Sequence, residues 1–80
     1  MLPNREGHVK IAANMDGEVE IRARVGQVVA PGQILAVVEG DVQIESLSVR
    51  NTSEVVEILV ASGSDVPKGT NLMIVREIQE

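Results

Sequence analysis

Amines, thiols, imidazoles and carboxylates are the side-chain groups that carry covalent and proton chemistry, and this 80-residue chain has few of the first three. It contains two lysines, Lys10 and Lys68, one histidine, His8, and no cysteine. An amine can be acylated or form a Schiff base. Without thiols there are no disulfides, thiolate metal sites or cysteine nucleophiles. One imidazole alone builds no metal site and cannot supply the paired histidines of phosphotransfer domains; His8 reads as a surface residue. Ser46, Ser48, Ser53, Ser62 and Ser64 lack a second histidine to activate them, and none sits in a nucleophile-elbow sequence. The pairs Glu18/Glu20 and Glu54/Glu57 fall on strand or strand-end surfaces, where no burial separates their proton affinities, so they read as solvated charges. No metal site and no catalytic centre emerge, and the chain is expected not to be an enzyme.

The elements that position these groups follow a period of two. Val9 and Ile11 alternate with His8 and Lys10. Val19, Ile21, Ala23 and Val25 alternate with Glu18, Glu20, Arg22 and Arg24, the pattern of a half-buried strand with a charged outer face. Asn14-Met15-Asp16-Gly17 has turn chemistry between them. Val28 to Gly32 is too short and punctuated for a helix and reads as a brief bridge plus a turn. Ile34–Val38 is a short apolar strand, the return strand begins at Val42-Gln43-Ile44-Glu45 and continues through Leu47 and Val49, and Arg50–Ser53 is a loop. Val55–Val60 is a strand, Ser62–Asp65 a turn, and Leu72–Val75 the last strand. About eight short strands with frequent glycine turns predict an all-β sandwich or barrel.

A repeat at an offset of 37 residues organises these pieces. Val19 meets Val56, Ile21 meets Ile58, Gly26 meets Gly63 and Val29 meets Val66; Gly32 then meets Gly69, Leu35 meets Leu72, Val37 meets Ile74 and Val38 meets Val75. Two similar halves predict two similar β-units related by a pseudo-twofold axis. The four glycines have the spacing of turn residues rather than of a phosphate loop. Residues 1–7 read as a flexible leader, 8–77 as the domain and 78–80 as a tail.

Composition narrows the function. Hydrophobic residues make up 44% of the chain and aromatics 0%, so the core is built from Val, Ile, Leu, Met and Ala, with Met15 and Met73 as gap-fillers. There is no aromatic platform for bases and no cage for a quaternary amine. A formal charge of −5 argues against nucleic-acid binding. No apolar run reaches the roughly 18 residues of a membrane span, and a cytoplasmic location is the expectation.

Residues Val25-Gly26-Gln27-Val28-Val29-Ala30-Pro31-Gly32-Gln33-Ile34-Leu35-Ala36-Val37-Val38-Glu39, followed by Val55–Val60, Gly63, Val66 and Lys68-Gly69, resemble the biotinyl/lipoyl carrier domain family over roughly residues 8 to 77. The resemblance implies a flattened barrel or sandwich of two four-stranded antiparallel sheets with quasi-twofold symmetry. It also implies a central hairpin whose tip carries the lysine that accepts biotin or lipoate. Here the tip reads Glu39-Gly40-Asp41-Val42-Gln43, with Asp41 in the aspartate slot of lipoyl domains and Val42 in the lysine slot. Valine has no nucleophilic nitrogen, so no covalent cofactor is expected. Lys68, equivalent to Pro31 by the repeat, is expected away from the central hairpin, and Lys10 within the first strand; both read as surface charges. Gly17 stands one residue closer to Gly26 than the family pattern has it, which reads as a shortened or bulged strand.

Two readings of Glu39, Gly40, Asp41 and Val42 stay open: a plain turn, or a tip in contact with a protein partner. The resemblance favours a structural or interaction domain of a carboxylase- or dehydrogenase-type assembly. Its rivals are a working carrier modified at Lys10 or Lys68, and the lipoyl-like part of a membrane-fusion or efflux adaptor. The latter family separates its halves by a long helical hairpin, whereas only a tight turn stands here.

Overall fold

The computed structural model describes residues 7–78. Eight strands follow in order: β1 (His8–Ala12), β2 (Gly17–Ile21), β3 (Val28–Val29), β4 (Ile34–Glu39), β5 (Ile44–Ser48), β6 (Ser53–Ile58), β7 (Asp65–Val66) and β8 (Asn71–Glu77). They form two antiparallel four-stranded sheets, ordered β1-β8-β6-β3 and β5-β4-β2-β7. The described residues include no helix, and the sheets remain two separate layers rather than one closed barrel. Of the leader read over residues 1–7, only Gly7 is described, and its carbonyl accepts the Glu77 N–H at 2.9 Å. Of the tail, Ile78 is described and donates its N–H to the Thr52 carbonyl at 2.9 Å; residues 79 and 80 lie outside the described residues.

Counting round the eight strands, a step of four turns the order of one sheet into that of the other. The turns follow the same spacing. Gly32 closes a turn in which the Gln33 N–H donates to the Ala30 carbonyl at 3.0 Å; Gly69 closes its counterpart, Thr70 to Pro67, at 3.2 Å. Their φ angles are +84° and +92°, the third-position torsion of a type II turn, which L side chains resist. A Cβ at either site would meet nothing within 4 Å, so the demand for glycine is torsional, not spatial.

Alternation drives the inner faces together. Val19, Val29, Leu35, Ala36, Val38, Val55, Leu72, Met73 and Val75 are buried between the sheets, and Ile11, Met15, Ile21 and Ile58 pack against them. Met73 is fully enclosed and Met15 half-buried, consistent with gap-filling in a core without rings.

Three details depart from the sequence reading. The second strand ends at Ile21 rather than running to Val25, which sits in a turn and is 62% exposed. Ser53, read as loop, begins β6 and is fully buried, its hydroxyl donating to the Asn51 carbonyl at 2.8 Å. A bulge between Val55 and Glu57 shifts the second half of the repeat. Val55, opposite Val75 and 1% exposed, takes the place that Val19 holds opposite Val38, while Val56 is the extra residue and is 38% exposed. A bulge opposes two residues on one strand to one on its partner, so an ungapped sequence repeat cannot anticipate it.

Candidate functional site

The β4–β5 hairpin is closed by the pairing of Glu39 with Ile44 and by the Gly40 N–H donating to the Gln43 carbonyl at 2.8 Å. Asp41 and Val42 are left as the apex. Val42 is therefore turn rather than the start of the return strand, which begins at Ile44. With no ladder partner, Val42 is 93% exposed, the most exposed large apolar residue among the described residues. Exposure of a lone valine is ordinary on a protein surface. At the apex of a hairpin it is the point that a docking surface would meet first.

The base of this hairpin is held from both sides. A Cβ on Gly40 would come within 2.5 Å of Met15 Cε and 3.1 Å of the Asp16 carbonyl oxygen, so the β1–β2 loop packs against the first hairpin residue. A Cβ on Gly17 would stand 2.6 Å from the Glu39 carbonyl oxygen; here glycine is required by backbone approach between β2 and β4. The early Gly17 of the sequence thus marks a strand start pressed against its neighbour. On the far side, Asn14 donates its N–H and its Nδ2 to the Glu45 carboxylate at 3.1 and 2.6 Å. A charge-assisted pair spanning 31 residues fastens the loop to β5.

The two lysines separate clearly. Lys10 lies mid-strand on β1, exposed and opposite Ile74, away from any turn. Lys68 is not remote from the hairpin, and that expectation is corrected. Its N–H donates to Asp16 Oδ1 at 2.7 Å, and the next residue, Gly69, donates to the Ala13 carbonyl at 2.8 Å. The Pro67–Gly69 turn is thereby bound to the same β1–β2 loop that packs on Gly40. The reason is that β7 pairs with the first residues of β2, Val66 with Gly17, beside the end of β4.

Other candidate groups are spread out. His8 stands opposite Arg76 at the start of β1. Ser62 Oγ accepts the Ile21 N–H at 2.9 Å and Ser64 Oγ donates to the Ala61 carbonyl at 2.7 Å, so both serve turns. Glu54 pairs with Arg76 at 2.5 Å, and the bulge places Glu57 two ladder positions further on the same face. No group of three His, Asp or Glu side chains among the described residues is arranged to hold a metal ion.

One grouping was missed from sequence. Asp65 stands opposite Glu18, and Glu18 opposite Glu39, so three exposed carboxylates form a row across β7, β2 and β4, with Ile44 continuing it on β5. A shallow hollow beside the row is lined by Asp16, Glu18, Glu39, Asp41 and Asp65. The alternation placed Glu18 on an outer face, but nothing local joined residues 18, 39 and 65.

No curated protein matches the sequence. Among solved structures, the chain is similar to a single-chain, multi-domain long-chain acyl-CoA carboxylase, with 25% identity and a TM-score of 0.82 over 90% of this chain and 7% of that one. It is also similar to an aspartoacylase family protein from Mesorhizobium loti (17% identity, TM-score 0.74, 88% of this chain and 25% of that one). A third likeness is to a protein described as a succinylglutamate desuccinylase/aspartoacylase from Shewanella frigidimarina (23% identity, TM-score 0.71, 89% and 20%). The last two likenesses show the fold alone. In each case the chain spans a quarter or less of the other protein's length. The biotin/lipoyl family model, described as biotin-requiring enzyme, matches residues 8–75. The match covers all but the ends of the sandwich, including the β4–β5 hairpin, and the chain belongs to the biotin/lipoyl family.

Proposed function

We propose that this chain is a non-enzymatic biotin/lipoyl domain without a covalent cofactor, serving as an interaction or structural module of a carboxylase-type assembly. The observation that carries the proposal is Val42, with its saturated side chain, at the exposed apex of a hairpin whose base is firmly packed. Acylation by a carboxylate cofactor needs a nucleophilic nitrogen, which valine lacks. The likeness to a segment of a multi-domain acyl-CoA carboxylase supports the type of assembly. The three ties around the hairpin, from Met15, Gly17 and Asn14, support a tip that is presented in one orientation. Preorganisation of that kind lowers the ordering cost of docking.

A second reading is favoured by one observation. Lys68 is exposed in a tight turn next to the hairpin base, so a ligase approaching that end of the domain would meet an amine. The test for both is the intact mass of the chain co-expressed with biotin and lipoate ligases, beside Val42→Lys and Lys68→Arg. The proposal expects an unmodified native chain and a cofactor mass on Val42→Lys. A native chain that gains the mass, and loses it in Lys68→Arg, establishes the second reading and overturns the first. A native chain and Val42→Lys that both stay unmodified remove the carrier ancestry of the tip.

A further inference from the structure

The two outer sheet faces differ in how they answer their own charge. On the β1-β8-β6-β3 sheet, Glu54 faces Arg76 and is bound by it at 2.5 Å, and Lys10 and Glu57 flank Ile74 in the next row. On the other sheet the position corresponding to Arg76 is Glu39, and it faces Glu18, which in turn faces Asp65. Like charges directly opposite across a ladder are destabilising, and this row sets three of them side by side. Arg22 is held by Glu20 at 3.3 Å, two residues along β2, and Lys68 at the margin forms no ion pair among the described residues. The row carries no arrangement suited to a metal ion among the described residues. Cations fixed at strand-like separations, as side chains are, would match the spacing of the row.

Among the described residues the two most exposed large apolar side chains are Val42 at the apex and Ile44, which is 67% exposed and stands opposite Glu39. Ile44 extends the carboxylate row by one strand and Val42 follows Asp41 at the apex, so aliphatic side chains adjoin carboxylates here, the inverse of an apolar pocket rimmed by lysine or arginine. From this complementarity we infer that the β4–β5 hairpin docks, by Val42 and Ile44, into a protein partner whose apolar pocket carries a basic rim facing Asp65, Glu18 and Glu39. The inference rests on the interaction reading above and names the partner's chemistry. Charge complementarity of this kind steers encounter and orients the docked tip, while the aliphatic anchors hold it.

A defined probe tests it: titration of the isotopically labelled chain with a short peptide of alternating leucine and lysine, followed by amide shifts. A leucine/glutamate peptide and an oligolysine of equal length serve as comparisons. The expected result is saturable binding of the leucine/lysine peptide, with shifts concentrated at residues 39–46 and at Glu18 and Asp65. Val42→Ser, whose side chain touches no core, weakens it about tenfold, and Glu39→Lys does the same. The comparison peptides bind at least about tenfold more weakly. Equal binding of oligolysine, or no effect of Val42→Ser, would leave a bare charge effect and overturn the inference. Equal binding of the leucine/glutamate peptide, shifts on the other sheet, or no saturable binding would overturn it as well. The two tests fail separately. A native chain that takes up cofactor removes the interaction reading, whereas an unmodified chain that ignores the leucine/lysine peptide removes only the partner's stated chemistry.

Discussion

Glu18 faces Glu39 across the β2–β4 ladder at the place where, in the other sheet, Glu54 faces Arg76. The two pairs occupy corresponding rows of two sheets with matching strand order, yet one is an ion pair and the other sets two exposed carboxylates opposite each other. Family membership leaves this difference open, because it lies in two side chains on an outer face and not in the core that defines the fold.

Replacing one of these carboxylates by a cation should stabilise the domain. We predict that Glu39→Arg raises unfolding stability by about 0.2–1 kcal/mol, the scale of a cross-strand charge pair. The gain should shrink in concentrated salt, since both groups are exposed and screened. Urea denaturation at low and high ionic strength measures both effects. A variant no more stable than the native chain at low salt would show that the row carries no repulsion.

Two glycines at the hairpin base should respond differently to alanine. At Gly17 the added Cβ meets the Glu39 backbone, which has little room to yield, and a loss of about 1–3 kcal/mol is expected. At Gly40 the closest atom is the end of the flexible Met15 side chain, so the loss should be clearly smaller. Thermal unfolding of the two variants ranks them. The reverse order would mean that Met15, not the β2–β4 contact, fixes the hairpin.

The β6 bulge makes a prediction about adjacent valines. Val55→Thr buries a hydroxyl among apolar neighbours and should cost about 1–3 kcal/mol. Val56→Thr leaves its hydroxyl within reach of water and should stay within about 0.5 kcal/mol of the native chain. Comparable losses at both positions would contradict the register between β6 and β8.

Gly32→Ala and Gly69→Ala should each cost about 1–2 kcal/mol, because both force a side chain into positive φ. The two costs should be alike, since neither Cβ would meet a neighbour. Denaturant midpoints decide it, and a large inequality would point to a contact specific to one half.

Much of this protein is legible one strand at a time. Alternation of Val and Ile with charged residues specified half-buried strands, since neighbouring side chains on a strand point to opposite faces. Gly32 and Gly69 announced their turns because the torsions needed there are costly for any other residue. The turn at Gly40 and Asp41 was legible too, since both are turn-forming residues between two apolar runs. These are local properties, set by a residue and its immediate neighbours.

What remained hidden depends on partners distant in the chain. Val55 rather than Val56 enters the core because a bulge shifts β6 against β8, and register is a property of two strands together. Lys68 lies beside the hairpin because β7 joins the start of β2, a placement the repeat did not convey. Asn14 finds Glu45, and Asp65, Glu18 and Glu39 align, only once the sheets have formed. Sequence alone determined the all-β succession of short strands, the turns at Gly32 and Gly69, and which residue stands near the tip. Tertiary structure decided which charges face one another and which loop steadies the hairpin, because those depend on cross-strand register, which sequence spacing leaves open.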